Sequence, residues 1–464
     1  MTNDTTVQIS SSMHQEAEPL SWRFWRKRRY IVVLLAFLGY VKSYSLRVNL
    51  SVAVVAMTGD ERTRDNDDYF DWSSPERGLI FSSFYWGYIW TQLIGGVLAK
   101  RFGGNLLLGI GIGVPAILSF ITPWLAKNVT AMVILRVLQG SFAGVTFSSI
   151  HDIWFYWAPI PERSRMTSIA YSGMFIGTVI TMPTSAYLAT AFGWKSIFYV
   201  FGVFGVVWHI LWMIVVRSAP HKDPFISKDE LQYIENTVSV EKKGKRVIPW
   251  KSLLTSKPVI AITAAQFALS WGFNTMIAQM PTFLSDFLHY DLGSSGFLSG
   301  APHLAMGILV TLAGYLADHL INKKLLTTTQ VRKYFVCGSS IIQTICMFGT
   351  GYLIDPVWSV IFIIIGVGVG GFTTAGYSVN ALDIAPECAT IILGFSNTVA
   401  CLTGIVSPIL TGWLVQNQTI DDWRVVFYLA GSIYVAGGVI YWFWCSGELQ
   451  PWSQTQKTVT VEKS

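Results

Sequence analysis

Read in windows of about 20 residues, the chain is a succession of long apolar stretches separated by short polar breaks. Stretches such as 197–216 and 361–369 contain no Asp, Glu, Lys or Arg. The pattern predicts roughly 12 membrane spans, beginning near positions 30, 78, 105, 131, 165, 195, 258, 296, 333, 358, 390 and 425. Each span is expected to be helical, because lipid offers backbone N–H and C=O groups no partners. The expected fold class is therefore an all-α membrane protein with twelve transmembrane helices.

The pattern also repeats. Trp194-Lys195-Ser196-Ile197-Phe198-Tyr199, with Gly202, is echoed by Trp423-Arg424-Val425-Val426-Phe427-Tyr428, with Gly431 at the same spacing. Gly96-Val97-Leu98-Ala99-Lys100 is echoed by Gly314-Tyr315-Leu316-Ala317-Asp318, and Ala158-Pro159 by Ala385-Pro386. Parallel duplicated halves are the architecture of an alternating-access transporter with its substrate between the halves. The expected organisation is a tail over 1–29, a six-helix bundle over 30–217, a linker over 218–257, a second bundle over 258–446 and a tail over 447–464.

Composition agrees with a membrane protein: 52% of the 464 residues are hydrophobic and 13% charged, against about one-quarter charged in soluble proteins. With both ends cytosolic, roughly 24 of the 33 Lys and Arg fall on the cytosolic side and about 6 outside, as the positive-inside rule requires. The net charge of +6 is thus a topology signal and gives no reason to expect nucleic acid. No cleavable signal peptide is legible, since the first span is too long for an h-region. The five cysteines fall in spans or cytosolic segments, so neither a disulfide nor a metal site is expected. The tail and the acidic loop from Asp60 to Glu76 read as non-membrane segments, as does the linker with its run Lys242-Lys243-Gly244-Lys245-Arg246. Ser227 and Glu230 form a capping-box pattern, predicting a short linker helix along the membrane face.

Three basic residues, Lys42, Arg47 and Arg136, lie inside predicted spans. Each costs about 2.5–3.5 kcal/mol on the insertion scale, so each needs a reason to stay. Arg47 in span 1 and Arg136 in span 4 lie at similar depth and are expected to converge. A guanidinium is a permanently charged planar fork of donors suited to carboxylate or phosphate. Structural arginines tied to backbone carbonyls are the competing reading. Lys42 projects from another face and reads as snorkelling or packing. Gln139, Ala143 and Thr146 share a face with Arg136. No carboxylate is expected near either arginine, so the cavity should be positive and select anions. His151, the nearby group that titrates around neutrality, lies about 22 Å along the helix from Arg136, where a gate or packing role is favoured. Asn274, Gln279, Asn380, Ser396 and Asn397 are the polar members of the second half's spans, and each read singly is a helix contact first.

These residues carry a resemblance. Leu46-Arg47-Val48-Asn49-Leu50-Ser51, Ser83-Phe84-Tyr85-Trp86-Gly87-Tyr88, Trp157-Ala158-Pro159-Ile160-Pro161-Glu162-Arg163-Ser164 and Ser446-Gly447-Glu448-Leu449-Gln450-Pro451-Trp452 stand at their head. The chain resembles the major facilitator superfamily. Within it, the chain is similar to the anion symporter family of sialin, the vesicular glutamate transporters and the sodium–phosphate transporters (solute carrier family 17). The resemblance implies two pseudo-symmetric six-helix bundles around a cavity lined by spans 1, 4, 7 and 10. It implies that Arg47 and Arg136 hold the substrate's charge, with Tyr171, Phe273, Ser396 and Asn397 completing the pocket. Phe273 stands where relatives often have Tyr. Sialin-like and glutamate-type relatives carry acidic residues where this chain has Gln139 and Ala143, which resembles the sodium–phosphate branch. Lys100 replaces the usual Asp of the loop after span 2, while Asp318 is kept, weakening one cytosolic charge lock.

The expected function is alternating-access transport of a small anion, inorganic phosphate or a carboxylate, with no cofactor beyond a co-transported sodium ion or proton. Sodium-linked symport is the first reading; potential-driven movement and sialin-like proton coupling through His151 are the alternatives. An anion-sensing receptor is the alternative of another class. No Ser-His-Asp, metal or nucleotide constellation supports an enzyme. A monomer in the lipid bilayer is expected, in the plasma membrane or an endolysosomal or vesicular membrane. The segment Glu16–Ser21 resembles a dileucine sorting signal with one Leu, and Asn417 is the glycosylation candidate.

Overall fold

The computed structural model describes residues 27–58, 70–238, 249–353, 355–386, 388–417 and 419–453. The sorting-like segment, the loop acids from Asp60 to Asp68 and the basic run 242–246 lie outside the described residues. Spans 1–3 are Arg28–Met57, Ser74–Phe102 and Gly104–Leu125. Span 4 is broken at Gly144-Val145 into Val129–Ala143 and Thr146–Trp157, and spans 5 and 6 are Ile160–Phe192 and Lys195–Val215. In the second half, spans 7–9 are Lys257–Thr282, Leu292–Asn322 and Thr328–Leu353. Spans 10–12 are Pro356–Ile384, Ala389–Leu414 and Ile420–Trp444. Ten of these runs are long and apolar enough to cross a membrane by composition alone; spans 2 and 7 fall short of that measure.

The observed starts lie a few residues ahead of several expected ones because capped polar turns precede the apolar stretches. Span 2 opens on a reciprocal capping box between Ser73 and Glu76, and span 12 on one between Thr419 and Asp422. Such boxes satisfy N–H groups that the helix itself leaves unpaired. Twelve crossings return the chain to the side from which it started, termed here the terminal face; the opposite side is the far face.

The repeat seen in the sequence is structural. Trp194 and Trp423 open spans 6 and 12, and each joins its own half's buried core one turn from Phe198 and Phe427 respectively. Close helix contacts use glycine where a side chain would collide. A Cβ on Gly140 would lie 1.8 Å from the Phe84 carbonyl oxygen, and one on Gly144 would lie 2.4 Å from that of Tyr88. Spans 2 and 4 therefore pack backbone against backbone, the small-xxx-small mode of membrane helices.

The linker is anchored to the first half. The helix Lys228–Val238 starts where the capping pattern placed it, with the Glu230 N–H donating to Ser227 Oγ at 3.2 Å. The Glu230 carboxylate accepts the backbone N–H groups of Arg28 and Arg29, at 2.9 and 3.1 Å, and so caps span 1. Arg29 and Glu162, both buried, form an ion pair at 3.0 Å, and Glu230 adds a second at 3.3 Å.

The halves meet at the far face. A Cβ on Gly78 would lie 2.3 Å from the Pro408 carbonyl oxygen, and one on Gly412 would lie 2.4 Å from that of Ser74, so spans 2 and 11 are in backbone contact there. Arg77 Nη1 reaches Asp286 Oδ2 at 3.0 Å across the same seam, in the π-helical turn Phe283–Phe287 that follows span 7. Toward the terminal face, Lys100 and Asp318 are both exposed and neither forms an ion pair among the described residues. The fold is thus held closed on the far side by backbone contact and an ion pair, and no such charge pair joins Lys100 and Asp318 on the terminal side among the described residues.

Candidate substrate cavity

Between the halves lies a cavity of about 220 Å³, lined by spans 1, 2, 4 and 5 on one side and spans 7, 8, 10 and 11 on the other. Among the described residues, Arg47 carries the one formal charge in its lining, and no Asp, Glu or Lys faces it. The guanidinium sits in an aromatic cage, with Cζ 4.5 Å from the Tyr85 ring centroid, 5.2 Å from Tyr44, 5.6 Å from Phe84 and 5.9 Å from Tyr88. Cation–π attraction on this scale stabilises a charge that lipid would otherwise expel. Its Nη2 donates to the Tyr85 hydroxyl and lies 3.4 Å from Asn274 Oδ1. Its Nε is buried without a hydrogen-bond partner among the described residues.

Arg136 converges with Arg47 but stands behind the cavity wall. Its Nη2 donates to the Arg47 carbonyl at 3.5 Å and its Nη1 to Gln139 Oε1 at 3.0 Å, while Cζ lies 4.9 Å from the Phe84 ring. It is 4% exposed and absent from the lining, so in this conformation it supports Arg47 rather than facing a ligand. Arg47 is thus presented to the cavity, and Arg136 is tied to a carbonyl. Gln139 and Ala143 border a small annex beside Arg47.

Of the other sequence-predicted residues, Phe273 and Asn397 line the cavity. Ser396 is fully buried and donates to Gln266 Oε1 at 2.7 Å, while Gln266 Nε2 reaches Asn397 Oδ1 at 3.1 Å. Ser396 thus positions the cavity wall through Gln266. Tyr171 lies outside the lining, stacked on Phe147 at 5.5 Å, with its hydroxyl 3.1 Å from His151 Nε2. Tyr171 and His151 form an aromatic step below the cavity on the terminal side, where the sequence placed His151 alone. Lys42 has its Nζ 4.7 Å from the Phe204 ring, a packing role as expected. Asn380 donates to the Ser446 carbonyl at 2.8 Å, a contact with the chain after span 12. Asn417 is exposed at the far face.

Sequence reading gave no role to Tyr85 and left Asn274 between a substrate hydrogen bond and a helix contact, with the helix contact favoured. The signal for Tyr85 was present: Tyr85, Tyr88 and Gln92 recur at helical spacing on span 2. Asn274 was marked as a polar residue in an apolar span, but its partners come from three other spans and no local pattern names them.

The Major Facilitator Superfamily model matches residues 32–408. Vesicular glutamate transporter 1 of Xenopus laevis is 36% identical over 447 residues, covering 94% of this chain and 78% of that protein. Vesicular glutamate transporter 2 of Homo sapiens is likewise 36% identical over 447 residues, covering 94% and 77%. Among solved structures, a bacterial homolog of the human lysosomal transporter Spinster, described as inward-facing and occupied, superposes with a TM-score of 0.68 at 12% identity, covering 89% of this chain and 96% of that one. A D-xylose–proton symporter gives a TM-score of 0.66 at 16% identity, covering 90% and 99%. At these identities the structures show the fold, and the curated relatives show the family. A duplicated twelve-helix chain with its cavity between the halves, matched over nearly its whole length, is a secondary transporter of the Major Facilitator Superfamily and belongs to its anion-transporter family that includes the vesicular glutamate transporters.

Proposed function

We propose that this protein carries a small anion, a carboxylate or inorganic phosphate, by alternating access, with Arg47 as the anchor. The observation that carries the reading is the lone guanidinium of the cavity with its buried, unpartnered Nε–H. A carboxylate or phosphate oxygen would satisfy that donor through a charge-assisted bond, and an orphaned buried donor costs about 1–3 kcal/mol. The relatives named for glutamate support a carboxylate. In this reading the terminal face is cytosolic, as the basic residues indicate, and the state described is open to the cytosol. A vesicular or plasma membrane is its setting, and it works as a monomer.

The cavity's uncompensated positive charge favours movement of the anion driven by membrane potential. Sodium-linked phosphate symport is the second reading, favoured by the neutral Gln139 and Ala143 beside Arg47. The test is uptake of labelled glutamate and of labelled phosphate into proteoliposomes, with sodium, proton and potential gradients imposed one at a time. Glutamate uptake that follows potential alone, and that Arg47→Ala abolishes, upholds the first reading. Sodium-dependent phosphate uptake upholds the second. Absence of uptake of either anion under every gradient overturns both.

A further inference from the structure

We infer that Asn274 is a latch that occupies the anion anchor when the carrier is empty and so couples anion binding to opening of the far face. The inference rests on the reading of Arg47 as that anchor. Asn274, on span 7, is 6% exposed and reaches across the boundary between the halves. Its Oδ1 accepts from the Tyr85 hydroxyl and faces Arg47 Nη2 at 3.4 Å. Its Nδ2 donates to Thr403 Oγ1 on span 11 at 2.9 Å. One side chain therefore ties spans 1 and 2 of the first half to spans 7 and 11 of the second.

The position of the link gives it consequence. Arg47 lies ten residues from the far end of span 1 and Asn274 eight from that of span 7, about 15 and 12 Å at the helical rise. The link therefore forms the ceiling of the cavity. Beyond it, toward the far face, lies the seam containing Arg77, Gln279, Thr282 and Asp286. The Tyr85 ring fills the gap against span 11: a Cβ on Gly404 would lie 2.2 Å from it. Opening the far face must draw span 7 away from spans 1 and 2, and so must break the bonds from Arg47 and Tyr85 to Asn274.

Asn274 offers Arg47 a neutral amide oxygen, and an anion offers it a charged one. The bond to Asn274 is assisted by the guanidinium's charge alone, whereas an anion adds direct charge–charge attraction and can meet the planar fork with two parallel bonds. A bound anion accepts from both the Arg47 guanidinium and the Tyr85 hydroxyl, takes the two donors from Asn274 and so frees the halves, while the empty carrier stays latched. Exchange of one anion for another is therefore faster than net uptake, because only the loaded carrier reorients readily.

The test places a reporter cysteine at Thr282, whose buried hydroxyl has no partner among the described residues. Its labelling by a membrane-impermeant maleimide added on the far side measures opening of the seam, with the parent protein as control for the five buried native cysteines. Asn274→Ala should label about tenfold faster without anion, the scale of one hydrogen bond to a charged group, and should bring exchange and net uptake to equal rates. Asn274→Asp should do the reverse: its carboxylate pairs with Arg47, labelling slows and uptake is lost. Opposite shifts from one position are not a misfolding effect. Labelling of both variants at the parent rate overturns the latch. If the two variants diverge as stated while glutamate and phosphate leave the parent's labelling unchanged, the latch stands and the anion reading of Arg47 falls.

Discussion

Arg136 holds Arg47 by its backbone: the Arg136 Nη2 donates to the Arg47 carbonyl at 3.5 Å, with the Phe84 ring against both guanidinium groups. The two cations therefore have different tasks, one facing the cavity and one fixing the helix that presents it. Arg47→Gln should lower uptake at limiting anion by at least about 100-fold, the loss of a buried charge-assisted pair. Arg136→Gln should cost less, roughly tenfold, and should raise the half-saturating concentration more than it lowers the maximal rate. Uptake kinetics of the two variants side by side check this division.

Gln139 is the acceptor that keeps Arg136 in place without neutralising it. Gln139→Glu should place a carboxylate 3.0 Å from the Arg136 guanidinium and cancel part of the cavity's field. Anion affinity should then fall about tenfold near neutrality and recover in acid as the new carboxyl takes up a proton. The parent should lack this acid recovery. The pH profile of uptake by the two proteins is the measurement.

At the far seam, burial pushes the Asp286 carboxyl above its ordinary 3.8, outweighing the opposite pull of the Arg77 guanidinium and of His289. Opening hydrates the group and returns it toward that ordinary value, so the closed state binds the proton more tightly. Closure therefore gains its full advantage below 3.8 and loses it as pH rises through the raised value. Acid on the far side should slow labelling of a cysteine at position 282, measured against an exposed control thiol. Asp286→Asn should flatten that dependence.

The buried Arg29 depends on two carboxylates, Glu162 at 3.0 Å and Glu230 at 3.3 Å. Removing one partner from a buried pair costs about 3–5 kcal/mol, because a charge is left without compensation. Glu162→Ala should destabilise by the lower end of that range, about 3 kcal/mol, since Glu230 remains. Glu230→Ala should also release the linker helix from the start of span 1. Thermal unfolding in detergent reads the first effect, and protease sensitivity of the linker reads the second.

The fold was legible because membrane insertion is written locally. Twelve apolar windows needed no long-range information, and the paired Trp194 and Trp423 motifs marked the duplication. Spans 2, 5, 8, 9 and 12 start four or five residues before their apolar windows, and at spans 2 and 12 a polar capping box precedes the apolar stretch, where hydropathy is blind to it. Arg47 and Arg136 stood out because each is an expensive charge that lipid does not tolerate without a reason. Tyr171 and Ser396 were drawn into the expected pocket by resemblance, and the structure places them one layer back, on His151 and Gln266.

Sequence alone thus determined the number and order of the helices, the two halves, and the presence of cations at membrane depth, since all of these follow from the free energy of placing each residue in lipid. The tertiary structure decided which cation faces the cavity, which face is closed, and that Asn274 meets Arg47 and Tyr85. Those facts depend on how helices far apart in the chain rotate and pack against one another. That packing is governed by contacts such as Gly140 on Phe84 and Gly404 on Tyr85, whose two members lie far apart in the sequence.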